Sequence, residues 1–251
     1  MTQNSIEAAA RALSRAHNVV VFTGAGVSRE SGIATFREPE TGVWRRYDPM
    51  EMATLEGYLR DPAFVWSWYE HRFGKIDAAE PNPGHHAIAA LEGLAPSLTV
   101  VTQNIDGLHQ RAGSTDVIEL HGSMYRFACL YRRHDGYTME DFAGQNERPP
   151  LCPVCGELIR PDVVWFGEAL PEDEIRRAEL LSGSCDAMLV VGTSGVVVPA
   201  AALPLQAAHA GAVVIDVNPE PGPLTSRATI YLQGRGGDLL PRLVEEVRAR
   251  V

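Results

Sequence analysis

Two short stretches of the chain could do chemistry on residue type and spacing alone. The first is Gly24-Ala25-Gly26-Val27-Ser28, which follows the β-branched run Asn18-Val19-Val20-Val21-Phe22. Glycines at the end of a buried strand let backbone approach a pyrophosphate, and the following N–H groups supply donors. The pattern stops short of G-x-G-x-x-G because position 29 is Arg, and a tight structural turn would explain it about equally well. The second is Cys152-Pro153-Val154-Cys155, a C-x-x-C pair among four cysteines that also include Cys129 and Cys185. Met1 to Arg15 is a polar, Ala-rich helix pattern without the apolar core of a signal peptide. Metal or redox chemistry therefore comes ahead of a disulfide framework.

These stretches need elements to position them. Besides the run before the glycine turn, buried-strand patterns occupy Leu98 to Thr102, Ala187 to Gly192, Ala212 to Val217 and Thr229 to Leu232. Helical patterns cover Ile6 to His17, Gly84 to Glu92, Pro171 to Ser182, Ala200 to Ala210 and Asp238 to Arg250. Strands alternating with helices predict an α/β fold: a Rossmann-like open parallel sheet with helices on both faces. Residues 36–83, aromatic and Pro-punctuated with a helical core around Pro62 to Ile76, break the alternation. So do residues 126–159, polar and carrying three of the four cysteines. They read as a smaller inserted lobe, a helical module plus a zinc-ribbon-like module. The large domain is then 1–35, 84–125 and 160–251.

The length of 251 residues and 45% hydrophobic content suffice for a sizeable core. A net charge of -10 excludes a general nucleic-acid or anionic-membrane binder, and no apolar run is long enough to span a bilayer. The expectation is a cytoplasmic monomer.

The glycine turn continues as Gly24-Ala25-Gly26-Val27-Ser28-Arg29-Glu30-Ser31-Gly32-Ile33-Ala34-Thr35-Phe36-Arg37. Further along come Thr102-Gln103-Asn104-Ile105-Asp106-Gly107-Leu108-His109, Glu119-Leu120-His121-Gly122-Ser123 and Val163-Val164-Trp165-Phe166-Gly167-Glu168. Gly192-Thr193-Ser194 and Val217-Asn218-Pro219-Glu220 complete the series. In this order they closely resemble the motifs of the sirtuin family. The resemblance implies an NAD-consuming protein-lysine deacylase that releases nicotinamide, frees the lysine and passes the acyl group to ADP-ribose. His121 matches the family's catalytic base, a task that suits a side chain titrating near neutrality. Asn104 and Asp106 match residues near the ribose and the nicotinamide amide.

The same resemblance assigns Gly24, Ala25, Gly26, Ser28, Phe36, Arg37, Trp44, Gln103 and Ile105 to the cofactor. Gly192, Thr193, Ser194, Asn218, Pro219, Glu220 and Gly236 join them. Phe36 would shield the nicotinamide side, Thr193 and Ser194 would meet phosphates, and Asn218 and Glu220 the adenosine ribose. A peptide would lie extended between Val164, Phe166, Gly167 and Glu168 on one side and Val196 on the other, as an added strand. The remaining histidines read as hydrogen-bonded structural residues.

Tyr69 and Arg72 lie three apart, so a helix puts them on one face. In the desuccinylase and demalonylase class of the family such a Tyr-x-x-Arg pair grips the distal carboxylate of the acyl group. Arg can fork onto a carboxylate and Tyr adds a hydroxyl. Ala53 matches a small residue that widens that pocket, and Thr35 fits the same class. The resemblance therefore implies succinyl- or malonyl-lysine substrates, with acetyl-lysine accepted as well.

Most sirtuins hold a structural zinc with two C-x-x-C pairs. Here the first reads Cys129-Leu130-Tyr131-Arg132, and Arg is no zinc ligand. His134 would complete a Cys3His set with Cys129, Cys152 and Cys155. The alternative is a module that stands without metal. Cys185, at the start of a buried strand, reads as a small core residue. Three rival functions remain: an NAD or ADP-ribose sensor without turnover, a protein ADP-ribosyltransferase, and a dehydrogenase. The incomplete glycine fingerprint counts against the last.

Overall fold

Buried β-branched runs become the centre of a sheet because both faces must be covered. Strand β1 (Asn18–Thr23) and strand β2 (Ser97–Thr102) are each buried at every position after the first. The computed structural model describes residues 2–34 and 48–251, and all structural statements concern these. Thr35, Phe36, Arg37 and Trp44 lie outside the described residues.

In chain order, α1 (Thr2–Leu13) precedes β1, and a 3-10 helix over Ala25–Ser31 follows it. Then come α2 (Pro49–Met52), α3 (Leu55–Arg60), α4 (Pro62–Ala78) and α5 (Pro83–Glu92), before β2. Helix α6 (Leu108–Arg111), β3 (Val117–Glu119), β4 (Gly122–Cys129) and β5 (Ile159–Val163) lead to α7 (Glu172–Ser182). The chain closes with β6 (Ala187–Val191), α8 (Leu203–His209), β7 (Val213–Asn218), β8 (Ile230–Gln233) and α9 (Gly236–Arg248).

The main sheet has the order β3-β2-β1-β6-β7-β8, and every neighbouring pair is parallel. Counted within this sheet alone, the order is 3-2-1-4-5-6, the doubly wound arrangement. Alternate residues of each strand feed opposite layers. Val19 and Val21 join the core under α1, α5 and α9, while Val20 and Phe22 join the core under α7 and α8. Strand order reverses between β1 and β6, the point at which doubly wound sheets form a crevice beyond the carboxyl ends of their strands.

A second, two-stranded sheet pairs β4 antiparallel with β5. Gly122 opens β4 with φ +75, and a Cβ there would stand 1.9 Å from the Asp162 carbonyl oxygen. Only glycine permits this approach of the two strands. Helix α4 starts cleanly because Asp61 accepts the Phe64 N–H at 3.0 Å and Pro62 occupies the first turn. Trp68, Tyr69 and Val65 of α4 pack with Ala53, Met124, Val163 and Trp165. Trp66 turns to a neighbouring cluster with Phe127, Cys129 and Phe142. None of the described helices is long and apolar enough to cross a membrane.

Candidate active site

The glycine turn lies at the carboxyl end of β1, on the reversal point of the sheet. Its glycines meet the end of β6. The Gly26 N–H donates to the Gly192 carbonyl at 2.8 Å, and the Gly24 N–H to the Val191 carbonyl at 3.1 Å. A Cβ on Gly26 would stand 2.6 Å from the Gly192 oxygen. The glycines thus serve a backbone-to-backbone closure as well as any ligand. Ser28, in the 3-10 helix after the turn, is 1% exposed.

Around Ser28 a buried polar cluster assembles from three separate segments. Its hydroxyl donates to the Asp106 carboxylate at 2.7 Å and accepts from the Asn104 amide at 3.1 Å. Asn104 also donates to the Gly24 carbonyl at 3.3 Å. Asp106 accepts the Leu108 N–H at 3.0 Å, just ahead of α6. Burial raises the Asp106 pKa, and the Leu108 N–H and the Ser28 hydroxyl oppose that rise only in part. Asn104, Asp106 and Ser28 are therefore brought together beside the crevice. Ile105 packs against the apolar cluster that holds Tyr69, Met124 and Trp165.

Two histidines read from sequence as structural complete this cluster. His85 Nε2 lies 3.4 Å from the Ser28 hydroxyl, and His109 Nε2 lies 2.9 Å from the Thr23 hydroxyl. Their rings meet edge-on at 5.0 Å. Burial holds both neutral, His85 down to about 4 and His109 to about 3. A signal existed for His85: Asn82-Pro83-Gly84-His85 is a helix start, and His85 closes a capping box with Asn82. Asn82 in turn donates to the Val27 carbonyl at 2.7 Å, fastening α5 to the glycine turn.

His121 sits between the end of β3 and Gly122. Its Nδ1 lies 2.8 Å from the Gln103 carbonyl oxygen. A carbonyl only accepts, so Nδ1 carries the proton and Nε2 keeps its lone pair. Burial pushes the His121 pKa down from 6.5, against the upward pull of that carbonyl. Gln103 donates from its side chain to the Thr193 hydroxyl at 3.1 Å, which joins the ends of β2 and β6.

The remaining predicted cofactor residues line the same edge of the sheet. Ser194 is exposed beyond β6. Asn218 ends β7 and donates to the buried Asp216 carboxylate at 2.5 Å, with Pro219 and Glu220 exposed after it. Gly236 opens α9 against Val191, and Ala25 is half-buried in the turn.

The predicted peptide strip follows β5. The Val164 N–H donates to the His121 carbonyl at 2.9 Å, and the Phe166 N–H to the Ala53 carbonyl at 2.9 Å. Phe166, Gly167 and, across the crevice, Val196 are exposed. Glu168 turns inward: it accepts the Trp165 N–H at 2.8 Å and forks with the buried Arg160 at 2.5 and 2.8 Å. Burial would raise the Glu168 pKa, but Arg160 and the Trp165 N–H outweigh it and hold the carboxyl below its usual range.

Tyr69 leaves α4 toward the same strip. The Trp165 indole donates to the Tyr69 hydroxyl at 2.8 Å. Burial pushes the Tyr69 pKa up. The hydroxyl therefore keeps its proton and can donate it onward while accepting from Trp165. Arg72 stacks over the Trp68 ring at 5.0 Å. A cavity of about 100 Å3 on α4, lined by Trp66, Tyr69, Phe73, Met124 and Phe127 among others, includes neither Arg72 nor Ala53.

Cys129, His134, Cys152 and Cys155 converge: their ligand atoms all lie within 4.8 Å of one another. His134 Nδ1 stands 3.8 Å from the Cys129 sulfur and 3.7 Å from that of Cys152. Tetrahedral zinc with N and S ligands needs an N···S spacing of roughly 3.6 Å. The set fits a structural zinc. Burial raises the Cys152 thiol, but the Tyr137 hydroxyl and the Cys155 and Val154 N–H groups bring it down to about 6, toward the ligating thiolate. Cys185 is a buried core residue beside Met188.

The fold and this crevice define a doubly wound dinucleotide-binding protein with a second lobe placed over the carboxyl edge of its sheet. The Sir2 family model matches residues 24–199. The NAD-dependent protein deacylase 2 of Pyrobaculum aerophilum is 53% identical over 239 residues, which cover 95% of this chain and 94% of that protein. A crystal structure of a Sir2 homolog–NAD complex superposes with a TM-score of 0.91 at 43% identity, over 98% of this chain and 95% of that one. A Sir2 complex with a p53 peptide and NAD+ gives a TM-score of 0.84 at 35% identity, over 95% and 97% of the two chains. This chain belongs to the Sir2 family, and NAD is its co-substrate.

Proposed function

We propose that the chain is an NAD-dependent protein-lysine deacylase that prefers succinyl and malonyl groups. The observation that carries this reading is His121, whose Nδ1 is committed to the Gln103 carbonyl and whose Nε2 is thereby left as a base. NAD supplies a ribose whose nicotinamide leaves and whose hydroxyl takes the acyl group. Within this reading, His121 Nε2 takes a proton from that ribose. Asn104 and Asp106, fixed by Ser28, orient the ribose and the nicotinamide amide. Gln103, Thr193 and Ser194 hold the ribose and phosphates, and Asn218 and Glu220 the adenosine end. The peptide adds as a strand between 164–168 and Val196. The division into lobes at 35/36, 83/84, 125/126 and 159/160 belongs to the same proposal, as do acyl-lysine proteins as partners and a monomeric state.

Acid preference rests on the second lobe. Tyr69 keeps a donatable proton, and Arg72 is near enough for its charge to act on that hydroxyl. Ala53, at 5% exposure in the same core, is the small side chain that the acidic-acyl reading requires there. A sensor without turnover would have no need of a histidine held in its basic tautomer. An ADP-ribosyltransferase would have no need of the Tyr69/Arg72 pair.

The test is incubation with NAD and matched succinyl-lysine and acetyl-lysine peptides, following the masses of peptide and cofactor. Loss of succinyl at the higher rate, with nicotinamide and an acyl-ADP-ribose formed, is expected. Acetyl loss alone would remove the acidic preference and keep the deacylase; no turnover of either would favour the sensor.

The pH profile of kcat/KM follows from the base. Only neutral imidazole accepts a proton, so activity falls as pH drops through the His121 pKa. Burial lowers that pKa, so the acid limb should have its midpoint below 6.5. A midpoint above 7 would oppose His121 as the base.

A further inference from the structure

Arg132 stands where the first cysteine pair would end, and it does something other than bind metal. It is the one non-glycine residue at positive φ (+51) among the described residues. Its backbone N–H bonds to the Cys129 carbonyl at 2.7 Å, so the tight turn of a metal-binding loop survives without the second thiol. A strained residue kept at such a turn points to a use for its side chain.

The guanidinium reaches out of the cysteine module to the end of β5. Nη1 lies 3.1 Å from the Asp162 carboxylate, and Nη2 donates to the Val163 carbonyl at 2.9 Å. The same carbonyl accepts from Arg160 Nη2 at 2.8 Å. A carbonyl oxygen has two lone pairs, and here two guanidiniums take both. Arg160 is 1% exposed and lies over the Trp165 ring at 3.3 Å. The next residue, Val164, begins the strip on which the peptide would lie.

We infer that Arg132 braces the peptide strip, while His134 rather than position 132 supplies the fourth member of the metal-binding set. Arg132 is a positioning residue: it fixes the Val163 carbonyl and thereby the direction in which Val164 to Glu168 leave β5. This rests on the reading of 164–168 as the peptide site. The loop keeps its metal through His134, and the substrate strip gains a second guanidinium clamp.

The experiment uses the full chain with zinc bound and a succinyl-lysine peptide as probe. Arg132→Ala should raise the peptide KM by roughly fivefold to tenfold, less than a direct charge-assisted contact would give, because the lost bonds to Val163 and Asp162 act on the peptide only through the strip. NAD KM and one zinc per chain, by elemental analysis, should stay unchanged. The paired substitution Arg132→Cys with His134→Ala rebuilds a four-cysteine site. It should hold zinc and still show the raised peptide KM. A peptide KM like that of the parent in Arg132→Ala, or loss of zinc from that variant, would overturn the inference. Amide hydrogen exchange separates the two levels. Peptide should slow exchange over 163–168 in the parent, and Arg132→Ala without peptide should speed it. No protection by peptide removes the strip itself. Protection by peptide with exchange unmoved by Arg132→Ala removes only the brace.

Discussion

His121→Ala is expected to cut deacylation by roughly 100- to 10,000-fold, the range for loss of a positioned general base. Calorimetric titration with NAD should show binding largely intact. The split is expected because the cofactor-side contacts proposed here come from other segments, Gly24 to Ser28, Asn104 to Asp106 and Thr193. His121 contributes one internal bond, to the Gln103 carbonyl. Losing the ring leaves that carbonyl beside a half-buried space that water can enter. The loss should therefore appear in kcat. Turnover near that of the parent would take the base role from His121, and loss of NAD binding would make it a structural residue instead.

Arg72→Met should separate substrates. Methionine keeps the long apolar stem that covers Trp68 and removes the charge. A hydrogen bond to a charged group contributes about 1.5–3 kcal/mol, so kcat/KM for succinyl-lysine should fall roughly 10- to 150-fold. Deacetylation has no distal carboxylate to lose and should change far less. Equal loss on both peptides would mean that Arg72 acts by holding α4 in place and that the acidic preference has another origin. Tyr69→Phe is a less selective companion, since it also leaves the buried Trp165 indole without its acceptor.

The sheet was legible because its strands are apolar runs. The runs Asn18 to Phe22, Leu98 to Thr102, Ala187 to Gly192 and Ala212 to Val217 all form central strands, with ends shifted by no more than one residue. What escaped were β3, only three residues long, and the β4–β5 pair. Strand β5 reads Ile159-Arg160-Pro161-Asp162-Val163, and two charges and a proline conceal a strand. Nothing in composition says that Arg160 is almost wholly buried, because that depends on Glu168 and the face of Trp165. The site was visible chiefly as motifs. His121, Asn104 and Asp106 stand at strand ends as expected, and the structure supplies what joins them: Ser28, His85 and the Gln103 carbonyl. In the cysteine module His134 was visible as a fourth ligand, whereas Arg132 was visible only as a residue that could not be one. Its partner, the Val163 carbonyl, is a backbone atom 31 positions away.

The closure of Gly26 on Gly192 has a thermodynamic corollary. The loops after β1, β2 and β6 are already cross-linked by Gly26 to Gly192, Asn104 to Ser28 and Gln103 to Thr193. This part of the crevice does not have to be ordered when dinucleotide arrives, so binding there carries little conformational penalty. Tight association would then follow from rigidity as much as from the number of contacts. Substitutions that loosen these ties, even where they touch no ligand atom, would weaken dinucleotide through entropy, leaving the enthalpy of binding nearly as it was.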